Sequence, residues 1–200
     1  MTDKFKEKAK DWDVSDRIKQ LSSAIGRCIL KNVELNAQMH VMDFGAGTGL
    51  ITSQVAPYVN KITAVDISQA MLDQLIAKQE LKDKVQALCQ DITTKPTGVK
   101  YDLIMSAMAM HHVEDTDNMV KQFAAHLKSG GIVALADLDK EDGSFHPKGV
   151  EGVFHSGFER SEFRATLEKH GFKDVHFETA HTVQGENRPY PVFLVLATKA

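Results

Sequence analysis

The chain has 200 residues, 42% of them apolar, enough for one domain with a substantial core. A formal net charge of −3 and a pI near 6.3 leave no basic excess to track a phosphate backbone, which argues against nucleic acid as a main partner. Two widely separated cysteines, Cys28 and Cys89, with no C-x-x-C, argue against a disulfide framework or a structural zinc site and fit a reducing cytoplasm.

The amino-terminal stretch MTDKFKEKAKDWD lacks the apolar core of a signal peptide. No apolar run approaches the roughly 18 residues of a membrane helix, so a cytoplasmic protein without membrane insertion is expected. Lys4, Lys6, Lys8 and Lys10 alternate with Asp3, Glu7, Asp11 and Asp13, which reads as a solvated amphipathic entry helix. From about Val14 to Val33, Ile18, Leu21, Ile25, Ile29 and Leu30 recur at helical spacing.

Strand patterns follow at His40–Phe44, Lys61–Asp66, Val85–Cys89, Tyr101–Ser106 and Ile132–Ala136, with helical patterns between most of them at Leu50–Ala56, Ala70–Gln79 and Asn118–Leu127. Such alternation implies right-handed crossovers and a mostly parallel sheet covered on both faces, a doubly wound α/β fold. The last third departs from this rhythm. A polar stretch from Asp139 to Gly157 precedes a helix near Glu159–His170, and strands near Lys173–Thr179 and Val192–Thr198 should pair as an antiparallel hairpin. No repeat or linker marks a boundary; residues 1–200 are read as one domain, with 1–38 as a helical cap and 139–158 as an active-site loop.

The segment Val41-Met-Asp-Phe-Gly45-Ala-Gly47-Thr-Gly49-Leu50 reads as a buried strand, a three-glycine turn and a helix start. Glycines there admit unusual backbone angles and let amide groups approach a ligand at the carboxyl end of a strand. The spacing is G-x-G-x-G rather than the dinucleotide G-x-G-x-x-G/A, whose third small residue is replaced by Leu50. About twenty residues on, Asp66 closes the second strand, where a carboxylate can take both hydroxyls of a ribose, while Ser68 is a good helix N-cap. Asp91 ends the third strand and could accept from the exocyclic amine of an adenine. Asp43 is costly to bury unpaired and is expected to accept bonds from the loop or from a ligand's ammonium group.

In their order, these motifs resemble the class I S-adenosylmethionine-dependent methyltransferases, from about Trp12 to the carboxyl terminus. Val41–Gly49 looks like the family's first motif, Val65-Asp66 its acidic second, Gln90-Asp91-Ile92 its adenine-side third and Tyr101–Ile104 its fourth strand. Leu127–Gly131 is similar to the turn before the fifth, with Ser129 where proline is usual. The resemblance reaches the small-molecule enzymes that include the quinone-biosynthesis C-methyltransferases. It implies S-adenosylmethionine as cofactor and a Rossmann-like sheet in the order 3-2-1-4-5-7-6 with strand seven antiparallel. It also implies a cofactor set of Asp43, Gly45, Ala46, Gly47, Asp66, Ile67, Met71, Asp91, Ile92 and Ser106, with Asp91 and Ile92 flanking adenine and Met71 over its other face.

The implied reaction is an in-line methyl displacement toward a small-molecule acceptor, in which the protein mainly positions the nucleophile and excludes water. The acceptor is expected over the ends of strands four and five. His111 and His112 are general-base candidates there, or one of them only hydrogen-bonds the loop. Trp12, Asp137, His146 and His155 are the acceptor-side candidates, Trp12 being readable either as part of a lid or as core. The loop's histidines and Asp137, Asp139 and Asp142 lack any recognised metal-ligand spacing, so no metal is expected. The competing readings are a regulator that binds the cofactor without catalysis and an NAD-type oxidoreductase. A monomer or homodimer is expected.

Overall fold

The structure, a computed structural model, describes residues 3, 5–147, 149–186 and 188–200. Lys4 of the basic amino-terminal cluster lies outside the described residues. The five central strands are β1 (His40–Phe44), β2 (Lys61–Asp66), β3 (Val85–Cys89), β4 (Tyr101–Ala107) and β5 (Leu127–Leu138), and the carboxyl-terminal pair is β6 (Phe172–Gln184) and β7 (Pro189–Lys199). They form one sheet in the order β3-β2-β1-β4-β5-β7-β6, with β1 to β5 parallel and β7 antiparallel to both neighbours. This is the order that the resemblance implies.

Helices α1 (Asp16–Asn32), α2 (Thr52–Val55) and α3 (Gln69–Ile76) cover one face, and α4 (Thr116–His126) and α5 (Arg160–Lys169) the other. The strands divide their side chains between the two by simple alternation. Val41, Leu103, Ala134 and Leu194 join Ile25, Ile29, Leu72 and Leu75 on the first face. Met42, Ile104, Val133 and Phe193 join Val120, Phe123, Phe163 and Leu167 on the second. Side-chain caps start three of the helices: Ser15 accepts from Ile18 N, Ser68 from Met71 N and Asp115 from Asn118 N. Each such cap stabilises its helix by about 1 kcal/mol.

Five expected elements differ. The entry helix is a run of turns leading into a 3-10 helix at Ala9–Val14, since so short a segment cannot offset the cost of helix nucleation. The helix expected over Leu50–Ala56 is only the single turn α2, continued as a 3-10 turn at Ala56–Tyr58, because Pro57 has no N–H to extend the ladder. β6 and β7 run past their expected ends because their antiparallel pairing continues through the polar residues that hid those ends in the sequence, whereas β5 starts earlier, at Leu127, where it pairs in parallel with Tyr101 of β4.

Between β1 and β4 the chain reverses its direction of winding, having first run outward through β2 and β3. Ligands of doubly wound sheets bind at such a switch point, beyond the carboxyl ends of the strands. The registers Phe44↔Ser106, Asp66↔Cys89 and Ala107↔Ala136 bring the ends of β1 to β5 to that one edge.

Candidate functional site

Gly45, Gly47 and Gly49 all adopt left-handed backbone, with φ of 68°, 54° and 82°. The amides of Gly45 and Ala46 donate to the Val65 carbonyl at 2.8 and 3.1 Å, anchoring the turn to the end of β2. A Cβ on Gly45 would lie 2.3 Å from that of Ala109, so glycine is what lets the turn after β1 and the loop after β4 meet. A Cβ on Gly47 would meet nothing within 4 Å. The backbone there is bare toward open space, the cradle that a close-approaching ligand needs.

Asp66 faces this turn. Its Oδ2 accepts from Gly47 N and its Oδ1 from Ser68 N, both at 2.8 Å, which leaves lone pairs on both oxygens for ligand hydroxyls. Burial raises its pKa above the usual carboxylate range despite these bonds. Asp43 sits deeper. It accepts from the Thr52 hydroxyl at 2.5 Å, and burial, with a smaller contribution from the Asp66 charge, pushes its pKa up to about 7. The partner the structure supplies is the first residue of α2. Ser106, at the end of β4, has a buried hydroxyl with no hydrogen-bond partner among the described residues.

Other members of the expected cofactor set are placed as follows. Ile92 is wholly buried in the core under α4, and Met71 is buried with its amide on the Ser68 cap, so neither side chain is free to cover a ring in this arrangement. Asp91 lies beyond β3, and its Oδ1 is occupied by the amide and hydroxyl of Thr93 at 2.8 and 2.6 Å. Ile67 instead is 60% exposed, an apolar side chain directly after Asp66.

Sequence reasoning expected an amino-terminal cap but not the contacts that it makes. Asp3 accepts from the Ser68 hydroxyl and Ala70 N at the start of α3, Asp13 accepts from Thr48 of the glycine turn, and Phe5 packs edge-on against His112 and Trp12. Trp12 is half-buried in this overlay rather than in the core. No spacing signal in the sequence announces these long-range pairs.

Beyond β4, Met108 takes a left-handed φ of 56° and donates its amide to Ala136 O, turning the chain into the 3-10 helix Met110–His112 above the end of β5. His111 is 1% exposed. Its backbone N–H and ring Nδ1 meet the two oxygens of the equally buried Asp137 at 3.2 and 2.7 Å. Asp137 Oδ1 also accepts from Leu138 N at 2.8 Å. His111 Nε2 lies 3.2 Å from His146 Nε2, and His112 Nδ1 lies 2.7 Å from the Gly152 carbonyl. The three imidazoles are in ring contact, with centroids 4.2 to 5.9 Å apart. Burial is the main cause that lowers the pKa of His112 and pushes that of His146 down to about 4.

The loop over residues 139–158 closes at its base through Lys140 N to Phe158 O and Glu141 N to Ser156 O, and through a fork from Arg160 onto Asp139 at 2.7 and 2.8 Å. His155 does not join the cluster: its Nε2 meets the Val113 carbonyl at 2.9 Å and pins the loop to the chain leaving β4. Asp139 and Asp142 are likewise occupied, by Arg160 and by Ser144 and Arg188. Among the described residues no group of three or more His, Cys, Asp or Glu is placed to hold a metal ion.

Residues 41–131 match the family described as methyltransferase domain. The chain is 30% identical over 146 residues to a ubiquinone biosynthesis O-methyltransferase of Coxiella burnetii, covering 68% of this chain and 61% of that protein. It is 29% identical over 135 residues to an uncharacterized methyltransferase of Schizosaccharomyces pombe, covering 60% and 48%. The chain thus spans about half to three fifths of the length of these relatives. In fold it is similar to magnesium protoporphyrin IX methyltransferase of Synechocystis, solved with S-adenosylmethionine bound, at a TM-score of 0.67 and 18% identity over 96% of this chain and 83% of that one.

Proposed function

We propose that the chain is a class I S-adenosylmethionine-dependent methyltransferase and transfers the methyl group of this cofactor to a small-molecule acceptor held over the ends of β4 and β5. The observation that carries this reading is a pairing of two half-sites on one sheet edge. The bare Gly47 backbone beside Asp66 suits a ribose and its attached chain, and the buried Asp137–His111 pair lies at the end of the next strand but one.

The residues that would hold the cofactor are Gly45 and Gly47 along its chain, Asp66 at its hydroxyls and Ile67 along an apolar edge. When bound, it supplies a methyl group on a sulfonium, open to in-line displacement. The protein's own part is to place the acceptor, exclude water under the 139–158 loop and the amino-terminal overlay, and accept a proton from the acceptor. A nucleophile that carries a proton is therefore favoured, and oxygen is the acceptor atom printed in the name of the Coxiella burnetii relative.

Residues 1–200 act in this reading as one unit, a monomer or homodimer, with 1–38 as its cap. No helix among the described residues is long and apolar enough to cross a membrane, and we place the protein in the cytoplasm, without a nucleic-acid partner.

Calorimetric titration with S-adenosylmethionine, followed by assay of S-adenosylhomocysteine release over phenols, thiols, amines and quinol precursors, tests the proposal. Micromolar binding and turnover of at least one acceptor class are expected. Saturable binding without release over the whole panel would leave a non-catalytic binder.

A further inference from the structure

Building on the methyl-transfer reading, we propose that His146, rather than His111 or His112, takes the acceptor's proton, and that His111 and Asp137 behind it form a relay that draws the charge away from the reacting atoms.

The hydrogen bonds decide the protonation pattern. Asp137 offers His111 only acceptor oxygens, already turned by the amides of His111 and Leu138, so the proton on that edge sits on His111 Nδ1. A neutral His111 then carries its lone pair on Nε2. That atom lies 3.2 Å from His146 Nε2, which must therefore donate, and the lone pair of His146 falls on Nδ1. Both nitrogens of His111 are engaged and its ring is buried, so it has nothing to offer an acceptor directly. His112 donates from Nδ1 to the Gly152 carbonyl and has no carboxylate behind it to receive charge. His146 is half-buried on the loop that covers the site, and its Nδ1 is the one lone pair at the outer end of the chain of bonds.

The step balances. The acceptor's X–H bond breaks and its electron pair stays on X as the nucleophile. The proton goes to His146 Nδ1, the proton on His146 Nε2 passes to His111 Nε2, and the imidazolium so formed faces Asp137 at 2.7 Å. X forms its bond to the methyl carbon as the bond from that carbon to sulfur breaks, so the one positive charge that a bound sulfonium brings ends on the histidine pair. The groups around His146 explain why the proton should not stop there. Burial first, then His111 and His112, disfavour its charged form. Glu141 and Asp137 oppose them more weakly. Phe145, with Arg17 of α1 over its outer face, covers another side. At His111 the same charge meets a carboxylate across a short distance in a water-poor setting, where Coulomb attraction is strong.

Two readouts test this. Nitrogen-15 histidine spectra of the whole protein near pH 7.5, with no ligand needed, should show the Nδ1–H tautomer at His111 and the Nε2–H tautomer at His146. His111→Gln should release the second preference. Turnover with S-adenosylmethionine is then compared for a phenol that is protonated at the assay pH and a thiophenol that is already ionised. His146→Gln should slow the phenol by about 10²–10³-fold while leaving the thiophenolate within about threefold, since only the first needs a base.

An Nδ1–H tautomer at His146 overturns the relay, as does equal slowing of both acceptors, which marks a structural role. Should the wild type methylate neither probe, it is the methyl-transfer reading that has failed for those acceptors, and the tautomers alone decide the relay.

Discussion

The amide of Gly47 donates to Oδ2 of Asp66 at 2.8 Å, joining the turn after β1 to the end of β2 across 19 residues. One contact thus sets both the shape of the glycine turn and the orientation of the carboxylate beside it.

Asp66→Asn keeps the side chain's size but turns one acceptor into a donor facing an N–H. Losing a backbone bond at this partly buried carboxylate costs about 1–3 kcal/mol. Thermal unfolding should show that loss. Calorimetry should show at least a tenfold weaker affinity for S-adenosylmethionine, as each factor of ten is only about 1.4 kcal/mol.

Gly45→Ala and Gly47→Ala separate folding from binding. Both place a Cβ in left-handed backbone at a cost of about 1–2 kcal/mol. At Gly45 the new methyl also collides with Ala109, so this variant should be the less stable of the two in urea. At Gly47 the methyl enters open space, and the expected signature is a folded protein that no longer binds the cofactor. Equal cofactor binding by Gly47→Ala and wild type would remove the turn from the pocket.

Asp43 makes stability depend on pH. Its folded pKa, about 7, lies above the unfolded value of 3.8, so the folded state holds the proton more tightly. Its contribution is complete below about pH 4 and is lost as pH rises through about 7, because the ionised form is the one that burial penalises. Urea midpoints of the apo protein should therefore fall from pH 5 to pH 8. Asp43→Asn, which can still accept from Thr52, should flatten that slope. A slope unchanged in this variant would assign it to other groups.

Asp3 presents a carboxylate to the Ser68 hydroxyl and Ala70 N close to Asp66, and after burial its charge is the further cause that raises the Asp66 pKa. Asp3→Ala should raise the affinity for S-adenosylmethionine several-fold with little change in Tm. Weaker binding would mean instead that the segment helps to hold the ligand.

The half of the site proposed to hold the cofactor was largely legible in the sequence because its parts are local. A strand, a glycine turn and an acid at the end of the next strand each leave a short-range signature, and backbone geometry alone puts them at one edge. Side-chain direction was not legible there. Ile92 and Met71 fall where the motif order implies, yet helix and strand packing turns both inward, whereas Ile67 turns outward.

The acceptor half shows the division more sharply. Residue type and alternation by themselves determined a doubly wound sheet, its edge of acidic strand ends and a histidine-rich loop, since periodicity is a property of neighbours along the chain. Only the tertiary structure decided that Asp137, His111 and His146 line up in one chain of hydrogen bonds, that His155 serves the loop instead, and that Asp3 and Phe5 fold back over the site. Those pairings span 26 to 107 residues and are set by loop closure and by the need to satisfy buried polar groups. Neither leaves a repeating mark in the sequence.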